Sequence, residues 1–175
     1  MFIFENLMKK IIYIALFSII TLTLSSCWLY SFTGGSTGDA KTIQIDFFPN
    51  DAPLVEPGLS QKFTQDLQDL FLRQTNLSLV KANGDLHFEG EISGYRVQPM
   101  SATANQTAAK SRLTITVSVR YSNRLKEEDD FEKQFSFFYD VDADAVISGG
   151  TKDEAWTVIL ERITQDIFNA SVAKW

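Results

Sequence analysis

The sequence is poor in the residues that most often carry catalysis or bind metals. Cys27 is its one cysteine and His87 its one histidine among 175 residues. A lone cysteine cannot form a disulfide within the chain, and a zinc site needs about four N, S or O ligands. No serine or cysteine has a plausible general base. These absences argue against an enzyme, and against a bound metal or other cofactor.

The chain also lacks an apolar run that is long enough to cross a membrane. The apolar run from Ile11 to Leu24 has 14 residues, whereas a helix that spans the hydrocarbon core needs about 20. It follows Lys9 and Lys10 and precedes two small serines, an order typical of a secretory signal. We therefore predict a signal peptide over residues 1–26, with Met1 or Met8 as its start.

The signal ends at Leu24-Ser25-Ser26-Cys27, which resembles the lipobox of bacterial lipoproteins. The resemblance implies that Cys27 is the lipid attachment point, and two or more acyl chains anchor a protein stably. Trp28 stands where an aspartate can retain lipoproteins in the inner membrane. We therefore expect the mature chain on the periplasmic face of the outer membrane. The alternative is an ordinary signal peptide with Cys27 unmodified.

Composition divides the remainder into a tether and one domain. Residues 27–40 are rich in Gly, Ser and Thr and predict a lipidated N-terminus with a flexible tether. Residues 41–175 have a length that suits a single domain, and the 14 phenylalanines of the chain can supply its core. The net charge of −6 makes nucleic acid an improbable partner.

Hydrophobic periodicity predicts the order of elements in the first half of the domain. Alternation over 42–48 indicates a strand, and spacing of three to four over 59–74 indicates a helix. A short apolar run covers 77–80, and Asn83-Gly84 is a strong turn signal. Alternation then resumes at Leu86 and changes parity at Gly94, which predicts a β-bulge.

The second half reads as a hairpin followed by a helix. Residues 99–109 lack an apolar period and predict a loop or hairpin tip, and 113–121 alternate without a fault. A returning strand follows from Phe131 to Tyr139. Thr151 and Glu154 then have the spacing of a capping box that opens the second helix.

These elements predict an α+β fold. We expect a small mixed sheet of four to five strands with two helices packed on one face, in the order β-α-β-β-β-β-α. The other face of the sheet should be polar and accessible.

Most remaining motifs are better explained without a special function. His87 is expected to be a solvated strand residue. Asp140, Asp142 and Asp144 imitate the start of a calcium loop, but Ala145 stands where that loop requires glycine. Gly149-Gly150-Thr151-Lys152 lacks the glycine spacing of a phosphate loop, so we predict a helix start.

A basic stripe is the remaining candidate site. Lys110, Arg112 and Arg120 share one parity on the alternating strand, Arg124 extends the stripe, and Arg96 lies on the strand before it. Guanidinium groups bind phosphate oxygens bidentately, so the stripe could contact lipid phosphates or a partner. The alternative is cross-strand pairing with acidic neighbours, namely Glu89, Glu91 and Glu132.

Several segments, taken in order, resemble the LptE family of lipopolysaccharide-assembly lipoproteins. They are the lipobox with Trp28-Leu29-Tyr30-Ser31-Phe32-Thr33-Gly34, then Lys41-Thr42-Ile43-Gln44-Ile45, Phe48-Pro49-Asn50, Leu59-Ser60-Gln61-Lys62-Phe63-Thr64, Asn83-Gly84-Asp85-Leu86-His87-Phe88-Glu89-Gly90-Glu91-Ile92, Arg112-Leu113-Thr114-Ile115-Thr116-Val117 and Asp166-Ile167-Phe168-Asn169.

The resemblance implies a non-enzymatic lipoprotein that plugs the LptD barrel, assists its assembly and binds lipopolysaccharide. It also implies lipid contact by basic residues at a sheet edge, here Lys110 and Arg112. The rival hypothesis is a periplasmic lipoprotein that regulates a cell-wall synthase or a secretion pore. The tether of about 11 residues reaches at most about 40 Å, which favours a domain held at the membrane.

Overall fold

The computed structural model describes residues 37–100, 110–142 and 148–172. The strands in this part are β1 (Thr42–Ile45), β2 (Ser78–Leu79), β3 (Leu86–Met100), β4 (Lys110–Asn123) and β5 (Phe131–Asp142). The helices are α1 (Leu59–Gln74) and α2 (Gly149–Ser171), and a short 3-10 helix covers Glu127–Asp129. The predicted order β-α-β-β-β-β-α is confirmed.

The strands form one mixed sheet in the order β2-β1-β3-β4-β5. β1 is parallel to both of its neighbours, whereas β3, β4 and β5 are antiparallel to one another. The turn at Asn83, with φ of +58°, therefore joins two strands that do not pair, because β1 lies between them. Gly84 permits the close crossing, since a Cβ there would lie 2.6 Å from the backbone nitrogen of Gln44.

Both helices cover one face of the sheet and share a single hydrophobic core with it. A row of aromatic rings connects the layers, with centroid distances of about 5 Å between neighbours. The row runs from α2 through α1 to the sheet and consists of Phe168, Phe71, Phe88, Tyr121 and Phe131. Aromatic contacts of this kind add to the large apolar area that each ring buries.

The loop between β1 and α1 is held against the sheet. The predicted strand over 42–48 ends earlier, at Ile45, but the Phe48 side chain is fully buried against Phe63. The Phe48 backbone N–H donates to the Thr64 hydroxyl, and the Ile92 N–H donates to the Pro49 carbonyl. These bonds replace the missing strand ladder and satisfy the buried backbone.

The bulge in β3 is confirmed. Ile92 pairs with Val117 and Gly94 with Thr116, which leaves Ser93 as the extra residue on β3. The predicted loop over 99–109 begins later than expected, because Pro99 and Met100 still pair with β4; residues 101–109 lie outside the described part. A proline is tolerated in a strand where its nitrogen faces away from the ladder.

The predicted capping box at the start of α2 is wrong. The helix begins two residues earlier, at Gly149, and Ser148 before it makes no side-chain cap. Thr151 lies within the first turn. The Glu154 carboxylate instead accepts a hydrogen bond of 2.9 Å from the Tyr139 hydroxyl, which ties the helix to β5.

Candidate functional site

The sheet face opposite the helices carries polar side chains, as predicted, and the bulge in β3 divides it into two parts. The part next to β1, called the near end, consists of Gln44, Asp46, His87, Glu89, Arg120 and Glu132. The part beyond the bulge, called the far end, consists of Arg96, Met100, Lys110, Arg112, Phe138 and Asp140.

A hydrogen-bonded cluster joins β1 and β3 at the near end. His87 Nε2 lies 2.9 Å from Asp46 Oδ2, and Gln44 Nε2 donates to Asp46 Oδ1 at 2.8 Å. Burial by itself would raise the pKa of Asp46, but the hydrogen bonds from Gln44 and His87 outweigh it and lower this pKa. His87 is thus a bonded strand residue, with a partner that the sequence pattern did not indicate.

Arg120 is the centre of the remaining near-end network. Its Nη1 lies 2.9 Å from Glu89 Oε1, and its Nη2 lies 3.2 Å from Glu132 Oε2. The hydrogen bond that Arg120 donates to Glu89, followed by those it donates to Glu132, raises the pKa of the guanidinium. For Arg120, the alternative of cross-strand pairing is therefore confirmed.

Three near-end residues carry atoms of the kind that bind metals. Asp46, His87 and Glu89 each offer one ligand atom, and these atoms lie within 4.8 Å of one another. However, Asp46 and His87 already bond to each other, and Glu89 pairs with Arg120. These contacts within the protein account for the arrangement, which is a polar network.

Arg112 is held rigidly at the far end. Its Nε and Nη2 donate to the two oxygens of Asp140 at 2.7 and 2.8 Å, and its Cζ lies 3.6 Å from the Phe138 ring centroid. The bidentate bond lowers the pKa of Asp140 and raises that of Arg112. Phe138 is 43% exposed, so the stacked pair lies at the surface.

Arg96 and Lys110 are the other two basic residues of the far end. Within residues 37–100, 110–142 and 148–172, neither forms an ion pair. Lys110 faces Asp142 in the register of β4 and β5, and its charge contributes to the lowered pKa of Asp140. Arg96 faces Thr114 and is exposed. Both can therefore accept an anionic partner without breaking an existing ion pair.

Exposed apolar side chains accompany these cations. Met100, on the same sheet face, is 39% exposed, and Leu54 of the β1–α1 loop, 50% exposed, lies near Arg96. A groove of about 340 Å³ runs between that loop and the sheet, lined by Pro53, Leu54, Ser93, Gly94, Arg96 and Thr114, among others. The far end thus combines free positive charge with apolar surface, which is typical of an interaction site.

The structure places the predicted site residues in three groups. Lys110, Arg112 and Arg96 come together at the far end, whereas Arg120 lies apart in the near-end network. Arg124 bonds to the Asn83 carbonyl at the turn and does not extend the stripe. Cys27, the predicted lipid attachment point, lies outside the described residues. Phe138 was missed, although the consecutive Phe137 and Phe138 must point to opposite faces of a strand.

In the described residues, the domain is an α+β layer whose polar sheet face has a cationic, partly apolar end. The lipopolysaccharide-assembly family LptE matches residues 40–171. The chain therefore belongs to the LptE family of lipopolysaccharide-assembly lipoproteins, a non-enzymatic family. No curated protein matches the chain.

Solved structures with a TM-score of 0.50 share the fold at low identity. A hypothetical protein from Chlamydia trachomatis is 11% identical, with a TM-score of 0.50 over 77% of this chain and 99% of that one. A protein from Xanthomonas campestris is 9% identical, with a TM-score of 0.50 over 79% and 87%. The rare lipoprotein B from Shewanella oneidensis is 15% identical, with a TM-score of 0.39 over 73% and 89%.

Neither helix of the described residues combines the length and the apolar character needed to cross a membrane.

Proposed function

We propose that this chain plugs the lumen of an LptD-type outer-membrane barrel, assists assembly of that barrel, and contacts it through the far end. Membership of the lipopolysaccharide-assembly family supports the setting. The observation that carries the proposal is that Arg96 and Lys110 form no ion pair with the described residues and share the polar sheet face with exposed Met100. A plug must exchange contacts with water for contacts with the barrel, and no ion pair of the described residues is broken when these two cations make such contacts.

Lipopolysaccharide is the second partner that we propose for the same end. Its phosphates suit Lys110 and Arg96, and the Nη1 of Arg112 is not used in the bidentate bond to Asp140. Arg112 would then act as a fixed donor, because Asp140 and Phe138 hold its side chain. Arg120 is engaged on both sides by glutamates, so we assign it to the near-end network instead.

Anchoring is proposed to depend on Cys27. Lipid at this residue would hold the mature chain on the periplasmic face of the outer membrane. We expect Cys27→Ala to release the domain or leave an uncleaved precursor. If this variant still fractionates with the outer membrane in cells that lack the barrel, lipid anchoring through Cys27 is wrong.

The test of the plug is affinity purification from solubilised outer membranes. A chain with a C-terminal tag should retain an outer-membrane barrel in a stoichiometric complex that survives washing in detergent. Retention of a cell-wall synthase or a secretion pore in its place would contradict the proposal and favour the rival hypothesis. A separate arm compares binding of purified lipopolysaccharide with its dephosphorylated form; equal binding would exclude the phosphate contact.

A further inference from the structure

The second half of β3 has an unusual open edge. β1 pairs with β3 only at residues 86–88, and Asn50 adds a single bridge at Ile92. From Gly94 to Met100 the strand continues to pair with β4, but the described part of the chain supplies no strand on its other side. All residues from Arg96 to Met100 are exposed. An edge of this kind is a template for another strand.

The alternation of the backbone shows which groups face outward. Ile92 directs its backbone groups toward the β1–α1 loop. Its N–H donates to the Pro49 carbonyl, and its carbonyl accepts from the Asp51 N–H. The extra residue at the bulge changes the parity, so that Gly94, Arg96 and Gln98 face β4. Val97 consequently presents its N–H and its carbonyl to the open side. Pro99 has the same orientation, which explains why a proline does not interrupt the ladder with β4.

The two other open edges are less suited to pairing. β2 has only two residues. β5 is long, but exposed charged residues occur along it, including Glu132, Lys133 and Asp142. Short strands and edge charges are devices that prevent unwanted pairing. The segment Arg96-Val97-Gln98-Pro99-Met100 has one charge, and that charge is unpaired within the described ranges.

The side chains along this edge indicate what kind of strand would fit. Arg96 projects on the polar face, in register with Thr114, and Lys110 lies on the same face at the end of β4. Val97 projects on the helix face, in register with Leu113. A strand added beside them would place its residues on these two faces in alternation. Carboxylates would meet Arg96 and Lys110, and apolar side chains would meet Val97.

We propose that the β3 edge from Arg96 to Met100 binds an extended segment of a partner protein that alternates acidic and apolar residues. Main-chain hydrogen bonds to Val97 supply the affinity, and Arg96 supplies the preference for acidic residues. This inference rests on the proposed function for its choice of a protein partner, and it adds the mode of contact and the chemistry of the contacting segment.

The experiment uses the purified full chain and a synthetic peptide that alternates glutamate and valine over about ten residues. Amide hydrogen exchange is followed residue by residue. In the free protein, the Val97 amide should exchange faster than those of Arg96 and Gln98, because only the latter two bond to β4. The peptide should slow Val97 exchange at least about tenfold and leave the other two unchanged.

Two matched controls distinguish main-chain hydrogen bonding from side-chain contacts. The same peptide with N-methyl groups at alternate residues keeps its side chains but loses the ladder, so it should not protect Val97. Arg96→Glu should weaken binding of the glutamate peptide at least about tenfold and favour a lysine–valine peptide. Because Arg96 has no ion pair in the described residues, the fold of this variant should be intact.

Several outcomes would overturn the inference. They are unchanged Val97 exchange at millimolar peptide, equal protection by the N-methylated peptide, protection that rises with the concentration of the protein alone, and protection by lipopolysaccharide but not by peptide. If the peptide does not protect Val97 while a barrel co-purifies, the β3 edge is not the contact and the proposed function is retained. If the peptide binds and no barrel co-purifies, the proposed function falls and the edge assignment stands.

Discussion

The near end and the far end of the polar sheet face use the same kinds of residue for different purposes. At the near end, Arg120 forms ion pairs with two glutamates, and Asp46 is hydrogen-bonded to His87 and Gln44. At the far end, Arg112 has one bidentate partner, whereas Arg96 and Lys110 have no ion pair in residues 37–100, 110–142 and 148–172. A basic residue on a strand is therefore informative about binding only after its internal partners are counted.

The largest effect on stability is expected in the helix layer, because both helices pack on the sheet and share its hydrophobic core. Trp156 on α2 is 5% exposed and lies in the shared core. Trp156→Ala should lower the free energy of unfolding by about 3–5 kcal/mol, since it removes a large buried ring and leaves a cavity. Urea melts would measure this change. A loss below about 1 kcal/mol would show that the tryptophan does not support the sheet.

Changing the charges of Arg96 and Lys110 should separate binding from stability at the far end. Arg96→Glu with Lys110→Gln should weaken barrel or lipopolysaccharide binding at least about tenfold. The thermal melt should be nearly unchanged, because no ion pair of the described residues is lost and glutamine adds no carboxylate opposite Asp142. Lys81→Glu is the matched control, since this exposed lysine lies in the turn before β3. Equal losses for the control and the double variant would mean that only net charge matters.

Arg120→Glu should show the opposite behaviour at the near end. The variant places three carboxylates together on adjacent strands, and like charges in facing positions destabilise a sheet. We expect a lower melting temperature than for the far-end double variant, with binding retained by the folded fraction. A stable variant with weak binding would move the contact surface to the near end.

Acid should weaken both ends through their aspartates. Hydrogen bonds lower the pKa of Asp46 at the near end and of Asp140 at the far end from the ordinary value of 3.8. The stability that each contributes is fully present above this value and is lost as the pH falls through the lowered pKa. Urea melts below neutral pH should therefore show a steeper acid loss for the native chain than for Asp46→Asn or Asp140→Asn. An unchanged slope in both variants would exclude this linkage.

Local periodicity was sufficient to predict the elements and the polar face. The alternation over 113–121 and the stripe of α1 are short-range signals, and the parity change at Gly94 located the bulge correctly. The insertion of β1 between β2 and β3 was not predictable, because parallel pairing leaves no local signature. Element ends also depended on tertiary contacts, as at α2, where Glu154 bonds to Tyr139.

The candidate site was predicted as a list of residues but not as a pattern of partners. Parity placed Lys110, Arg112 and Arg120 on one face. The alternative of cross-strand pairing named Glu89 and Glu132, which pair with Arg120, but it did not name Asp140, which holds Arg112, since these contacts depend on the register of three strands. Asp46 was missed for the same reason, because its partner His87 is 41 residues away in the sequence.

The most direct measurement of the central claim is photo-crosslinking in intact outer membranes. A photoreactive residue replaces Met100 at the far end in one variant and Gln134, an exposed residue of β5 near Ser118, in another. We predict a strong crosslink to an outer-membrane barrel from position 100 and a weak one or none from position 134. A barrel crosslink from position 134 alone, or no barrel adduct from either position, would contradict it.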